Sequence, residues 1–106
     1  MPKYLITASY TQEGVKGLLK DGGSKRRQAV ENLANALGGN IDAFYYMFGS
    51  DDALVIADLP DEATAAAVSL TVAASGSATL NTTVLLEPET IDDATKKSIN
   101  YVPPGN

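Results

Sequence analysis

Apolar and polar positions alternate with a period of two over Lys3 to Tyr10, where Tyr4, Ile6, Ala8 and Tyr10 face away from Lys3, Leu5, Thr7 and Ser9. That alternation, rich in aromatic and β-branched residues, predicts a first strand. Asn40 to Pro60 holds two further runs around the polar turn Gly49-Ser50-Asp51 and predicts a β-hairpin at the middle of the chain. Strict alternation places Ile41, Ala43, Tyr45 and Met47 on one face of its first arm and Phe44, Tyr46 and Phe48 on the other. In the second arm Leu54 and Ile56 oppose Ala53, Val55, Ala57 and Leu59, so the hairpin is apolar on both faces. Ala78 to Leu86 repeats the pattern and predicts a fourth strand.

Helical spacing fills the intervals. Thr11 is placed to cap a short helix with Val15, Leu18 and Leu19 as its apolar stripe, ended by Gly22-Gly23. Ser24 is the expected N-cap of a longer helix in which Val30, Leu33, Ala34 and Leu37 recur at i, i+3, i+4 and i+7, with Gly38-Gly39 at its C-terminal end. Asp61 is the expected cap of a third helix reaching about Ala74. That segment carries no charge from Ala63 to Ala74. Ala63, Ala66, Ala67, Leu70 and Ala74 form one close-packing face, while Ala65, Val68 and Val72 form another. A helix apolar on two sides calls for a second covering surface. Thr90 with Asp93 resembles a capping box opening a short last helix, and Tyr101-Val102 precede two prolines.

Strand, helical stretch, strand, strand, helix, strand is the order of the ferredoxin-like βαββαβ motif. Right-handed crossovers put the first and third strands at the centre of a four-stranded antiparallel sheet with the helices on one face. An extra short helix after the first strand and a C-terminal helix complete an expected α+β fold in a single domain of residues 1–106. The other sheet face is left bare, and burying it against a second copy predicts a homodimer, a dimeric α+β barrel.

Charge and composition narrow the function. Eight Lys and Arg against thirteen Asp and Glu leave a net charge of -5, which disfavours nucleic acid and anionic membrane surfaces as partners. With no Cys and no His, the chain has no thiol nucleophile, disulfide or imidazole base. No cofactor is expected. Met1-Pro2-Lys3 runs into strand-like sequence without an apolar signal core, so a soluble cytoplasmic protein is the expectation.

Three groups of residues are candidates for chemistry. Gly22-Gly23-Ser24-Lys25-Arg26-Arg27 gathers three of the eight cations at a helix start, an arrangement that attracts an anion or an acidic neighbour, with Ser24, Arg26 and Arg27 as the binding residues. Asp51 and Asp52 could hold a hard cation, but neighbours on a strand point to opposite faces, so a solvated acidic turn and no metal site is the expectation. Tyr4, Tyr10, Tyr45 and Tyr46, with Thr7, Ser9, Asn81 and Thr83, place hydroxyls and one amide on the strands. A pocket using Tyr10, Tyr45 and Asn81 would be apolar with a few polar handles, the usual form of a small-molecule site.

The whole chain resembles the GYD-domain family of small bacterial proteins. The resemblance rests on Ala8-Ser9-Tyr10-Thr11, the run Glu13 to Leu19, Gly22-Gly23-Ser24, Arg26-Arg27, Gly38-Gly39, Phe44-Tyr45, Phe48-Gly49, Asp58-Leu59-Pro60, Ala74-Ser75-Gly76 and Thr83-Val84-Leu85-Leu86. The motif that names the family falls in the hairpin turn. Gly49 and Asp52 are present, but Asp51 occupies the slot of the tyrosine. The resemblance implies a ferredoxin-like, dimeric-barrel fold and brings no biochemical activity with it. A small-molecule-binding protein is therefore the expected function. The alternatives are a cofactor-independent oxygenase or isomerase, by analogy with other dimeric α+β barrels, and an assembly module without catalysis.

Overall fold

A computed structural model describes residues 1–106. Its elements are β1 (Lys3–Tyr10), α1 (Gln12–Asp21), α2 (Gly23–Ala36), β2 (Asn40–Tyr46), β3 (Ala53–Asp58), α3 (Glu62–Ser75), β4 (Ala78–Leu85) and α4 (Pro88–Thr95). The strands form one antiparallel sheet in the order β2-β3-β1-β4, as the ferredoxin-like motif requires. β1 is central because it pairs along its length with β4 and over Lys3 to Ala8 with β3.

The alternation of β1 sets the two faces. Tyr4, Ile6 and Ala8 are buried beneath the helices, opposite Ala57, Val55 and Ala53 of β3. Leu59, just beyond β3, and Ala65 of α3 complete this core, against which Ile41, Phe44 and Leu80 pack. The outer face carries Leu5, Thr7, Leu54 and Ile56, half-buried with no helix over them.

The pairing of β2 departs from strict alternation. A β-bulge between Ile41 and Ala43 leaves Asp42 outside the register, so Ile41 opposes Ala57 on the helix face rather than sharing a face with Ala43 and Tyr45. One extra residue in a ladder reverses the side chains that precede it. The bulge also lets Asp42 reach Lys3, whose ammonium donates to both carboxylate oxygens of Asp58 at 3.0 Å. These hydrogen bonds hold the Asp42 carboxyl below its usual range and raise Lys3 above its own.

Helix ends follow local chemistry in two cases and depart from it in two others. Thr11 accepts from the Gly14 N–H at 3.2 Å, and Asp61 from the Thr64 N–H at 2.8 Å, both as expected of N-caps. α2 instead starts one residue before Ser24. Its N-cap is Gly22, with φ 83° and no side-chain cap, so Ser24 lies inside the first turn. α4 likewise starts at Pro88 after Glu87, and Thr90 caps nothing. Proline at the first helical position, with its fixed φ, moves that start ahead of the threonine.

At the C-terminal end of α2 the Gly39 N–H donates to Ala34 O and the Gly38 N–H to Asn35 O, closing a Schellman motif in which Gly38 has φ 84°. α3 turns Ala65, Val68 and Val72 toward the sheet. Ala63, Ala66, Ala67 and Leu70, the set expected to pack closely, faces outward, with Leu70 71% exposed. Every residue from Leu86 to Asn106 is exposed. The radius of gyration is accordingly 17.1 Å, against about 13 Å for a compact chain of this size.

Gly14 and Gly17 share α1 but not a role. A Cβ on Gly14 would collide with the backbone carbonyl of Ser77, the acceptor of the Thr11 N–H, whereas Gly17 has open space around it. Gly14→Ala is expected to destabilise the fold by about 1–3 kcal/mol through overpacking. Gly17→Ala is expected to stabilise it by about 0.5–1 kcal/mol through helix propensity. Urea unfolding of both variants checks the pair; equal effects would contradict this packing.

Candidate functional site

α2 lies over β2 and α3 over β4, and the two helices barely meet, leaving a cleft floored by β1 and β3. Its depth follows from residue size. Across the sheet the register runs Tyr46, Ala53, Ala8, Leu80, so two alanines lie between larger side chains. Each alanine is two carbons short of a valine, which forgoes about 1.5 kcal/mol of apolar burial and leaves room above the floor. The cavity measures about 100 Å³. Val30 and Leu33 of α2, Leu37 just after it, and Val68 and Val72 of α3 form its walls.

The lining is apolar except for Tyr10, Arg26 and Ser77. Tyr10, the last residue of β1, is opposite Ala78, and Ser77 immediately precedes that residue, so both belong to one end of the sheet. Asp52 holds that end in place. Its carboxylate accepts the Tyr10 N–H at 2.8 Å, and its own N–H donates to Ala8 O at 2.8 Å. Asp51 accepts from the Ser9 hydroxyl at 2.8 Å. Both carboxylates of the turn are thus committed to the end of β1, and no three acidic side chains converge on a common point. Gly49 is exposed and has no positive φ, so the turn does not draw on its conformational freedom.

Arg26 differs from the cations on either side of it. Lys25 pairs with Asp21 at 3.7 Å and Arg27 with Glu31 at 3.5 Å, each one helical turn away. One turn from Arg26 stand Gly22 and Val30, and it makes no ion pair. Its guanidinium is close enough to Tyr46 to favour that phenolate. Burial outweighs this and, with the neighbouring Tyr10, raises the Tyr46 phenol above the ordinary tyrosine range. Tyr46 donates to Gly23 O at 3.0 Å and meets Phe44 edge to face, centroids 5.2 Å apart.

The structure divides the residues singled out in the sequence. Tyr10 and Arg26 come together at the cleft. Ser24, Arg27 and Tyr45 line a different feature, an open groove of about 340 Å³ beside the β2 edge that also touches Gly23, Phe44 and Tyr46. Asn81 opposes Thr7 and is exposed on the far side of the sheet, outside both. The Tyr4 hydroxyl is buried without a protein partner, in a residue that lines a separate depression bordered by Glu62, Ser69 and Thr82.

Sequence reasoning missed Ser77 and the alanine floor. Ser77 had no signal as a lone serine in a turn. Ala8 and Ala53 were legible as small residues on strands, but only their pairing in register makes a hollow.

A family model described as GYD domain matches residues 4–95. No curated protein matches the chain, and no solved structure does.

Removing the Arg26 charge takes away one of the influences that favour the Tyr46 phenolate. In Arg26→Gln the phenol is expected to ionise at higher pH than in the parent protein, read from its ultraviolet absorbance during a pH titration. An unchanged titration would place Arg26 away from Tyr46.

Proposed function

The chain belongs to the GYD-domain family, and on that premise we propose that it is a homodimeric, cytoplasmic binding protein for a small, largely apolar molecule held in the cleft between α2 and α3. The observation that carries this reading is the cleft itself. A cavity walled by valine and leucine, floored by alanine and edged by a phenol, a guanidinium and a hydroxyl has the composition of a small-molecule site. Its volume is of the order of the ~150 Å³ apolar cavity that takes up benzene.

Support for the dimer comes from the outer sheet face. Leu5, Leu54 and Ile56 form an apolar patch there that no element of the same chain covers. A second copy related by a two-fold axis presents the same patch, so the two faces complement each other without any further partner. The arm beyond β4 adds Ile99 and Tyr101, 79% and 72% exposed, as surface suited to the same assembly. No helix is long and apolar enough to cross a membrane.

A catalytic reading would rest on Tyr10 and Tyr46 as the only phenols near Arg26. Tyr46 lies outside the cleft lining, and its phenol, held above the ordinary tyrosine range by burial, already donates to Gly23 O, so it supplies no base to the cleft. Binding is therefore the reading preferred here.

Val30 lines the cleft from α2 and is only half-buried, so it accepts a larger side chain more readily than the floor does. Val30→Trp is expected to abolish uptake of a small apolar fluorophore that the parent protein binds, with the circular-dichroism spectrum unchanged. Undiminished uptake would place binding elsewhere. In light scattering the parent protein is expected to be a dimer at micromolar concentration, and the pair Leu54→Lys with Ile56→Lys a monomer. A monomeric parent protein would overturn the assembly.

A further inference from the structure

We propose that the ligand of the cleft is a singly charged carboxylate on a short aliphatic or monocyclic aromatic body, with its head on Arg26 and Tyr10 and its body over Ala8 and Ala53. This inference rests on the binding reading above and names its ligand class.

The charge comes from Arg26. A guanidinium at the edge of an apolar cleft loses hydration, and that loss is offset when a hydrogen-bonding anion faces it. The cations beside it in sequence satisfy this need within α2, through Asp21 and Glu31. Gly22 and Val30 deny Arg26 the same solution, and no acidic side chain from another element supplies it. The cleft thus contains an unpaired planar donor whose geometry matches a carboxylate through two parallel hydrogen bonds.

The number of donors sets the charge. One guanidinium, the Tyr10 phenol and the Ser77 hydroxyl suit one negative charge with two oxygens. A phosphate dianion would need a second cation, and Arg27, the next arginine, lines the edge groove instead and pairs with Glu31.

The body of the ligand follows from the floor. About 100 Å³ of apolar space above the alanine pair excludes a long acyl chain lying wholly inside and accommodates a few methylenes or one ring. No polar group lines that part of the cleft, so a hydroxylated or amino-substituted body would lose its own hydrogen bonds on entry.

The test uses the full chain and four probes at neutral pH: hexanoate, hexanol, hexylamine and inorganic phosphate, with binding read by displacement of an apolar fluorophore and by calorimetry. Hexanoate is expected to bind at least about tenfold more tightly than hexanol, the effect of one charge-assisted bidentate pair. Hexylamine and phosphate are expected to bind more weakly than hexanol. Arg26→Gln should bring hexanoate down to the level of hexanol in the same variant, so that the preference for the carboxylate is lost. Arg26→Lys should keep part of the preference, because it keeps the charge and loses the fork.

Equal binding of hexanoate and hexanol to the parent protein would overturn the carboxylate class and leave the cleft as a binding site. Preference for the amine or for phosphate would overturn it as well. Absence of binding by both hexanoate and hexanol would overturn the binding reading together with this one. A hexanoate preference that survives in Arg26→Gln would overturn the placement of the head on Arg26, and with it this proposal.

Discussion

Everything in this molecule is positioned from β1, which pairs in register with β3 on one side and β4 on the other. That double pairing puts Tyr4, Ile6 and Ala8 in the middle of the helix face, where they are buried, and fixes which residue of each neighbour stands beside them. It also determines where the strand ends. The turn before β3 grips that end through Asp51 on Ser9 and Asp52 on Tyr10, so the last phenol of β1 is held at the edge of the cleft. Both carboxylates of this turn therefore serve β1: Asp51 accepts from the Ser9 hydroxyl and Asp52 from the Tyr10 amide.

Small side chains do the rest of the shaping. Ala8 and Ala53 lie side by side at the point where α2 and α3 diverge, and Ala34, Ala57, Ala65 and Ala78 are buried around them. A core built this way buries less apolar area per residue than one of valine and leucine, and stability is correspondingly lower. The same choice leaves an apolar cleft between two helices that are each anchored to a different edge strand. Arg26 is the one cation of its cluster left without an acid by the helical spacing, and it borders that cleft.

The strand pattern made the sheet legible, since a period of two in β1 and β3 specifies both the elements and their buried faces, while in β4 it specifies the strand but only Ala78 is buried. Strict alternation failed in β2, because a single unpaired residue, Asp42, reverses Ile41 and is invisible to any count of apolar positions. The cap chemistry of Thr11 and Asp61 was legible because each side chain meets an amide three residues on. Ser24 and Thr90 have the same chemistry but stand inside helices whose starts are set by Gly22 and Pro88, where backbone conformation outranks a side-chain hydrogen bond. α3 is apolar on both sides, and periodicity could not say which side the sheet would take.

Of the candidate site, the sequence alone supplied the inventory: a cation cluster, phenols on strands, and no imidazole or thiol. Tertiary structure chose among them. It joined Tyr10 to Arg26, sent Ser24, Arg27 and Tyr45 to an open groove, and put Asn81 on the opposite face. Local pattern carries the information for strands, helices and most of their ends, because those depend on neighbours within about one helical turn or one strand pair. A cleft depends on which alanines lie side by side across strands 45 residues apart in sequence, as Ala8 and Ala53 do, and on where two helices part. Only the assembled sheet decides that.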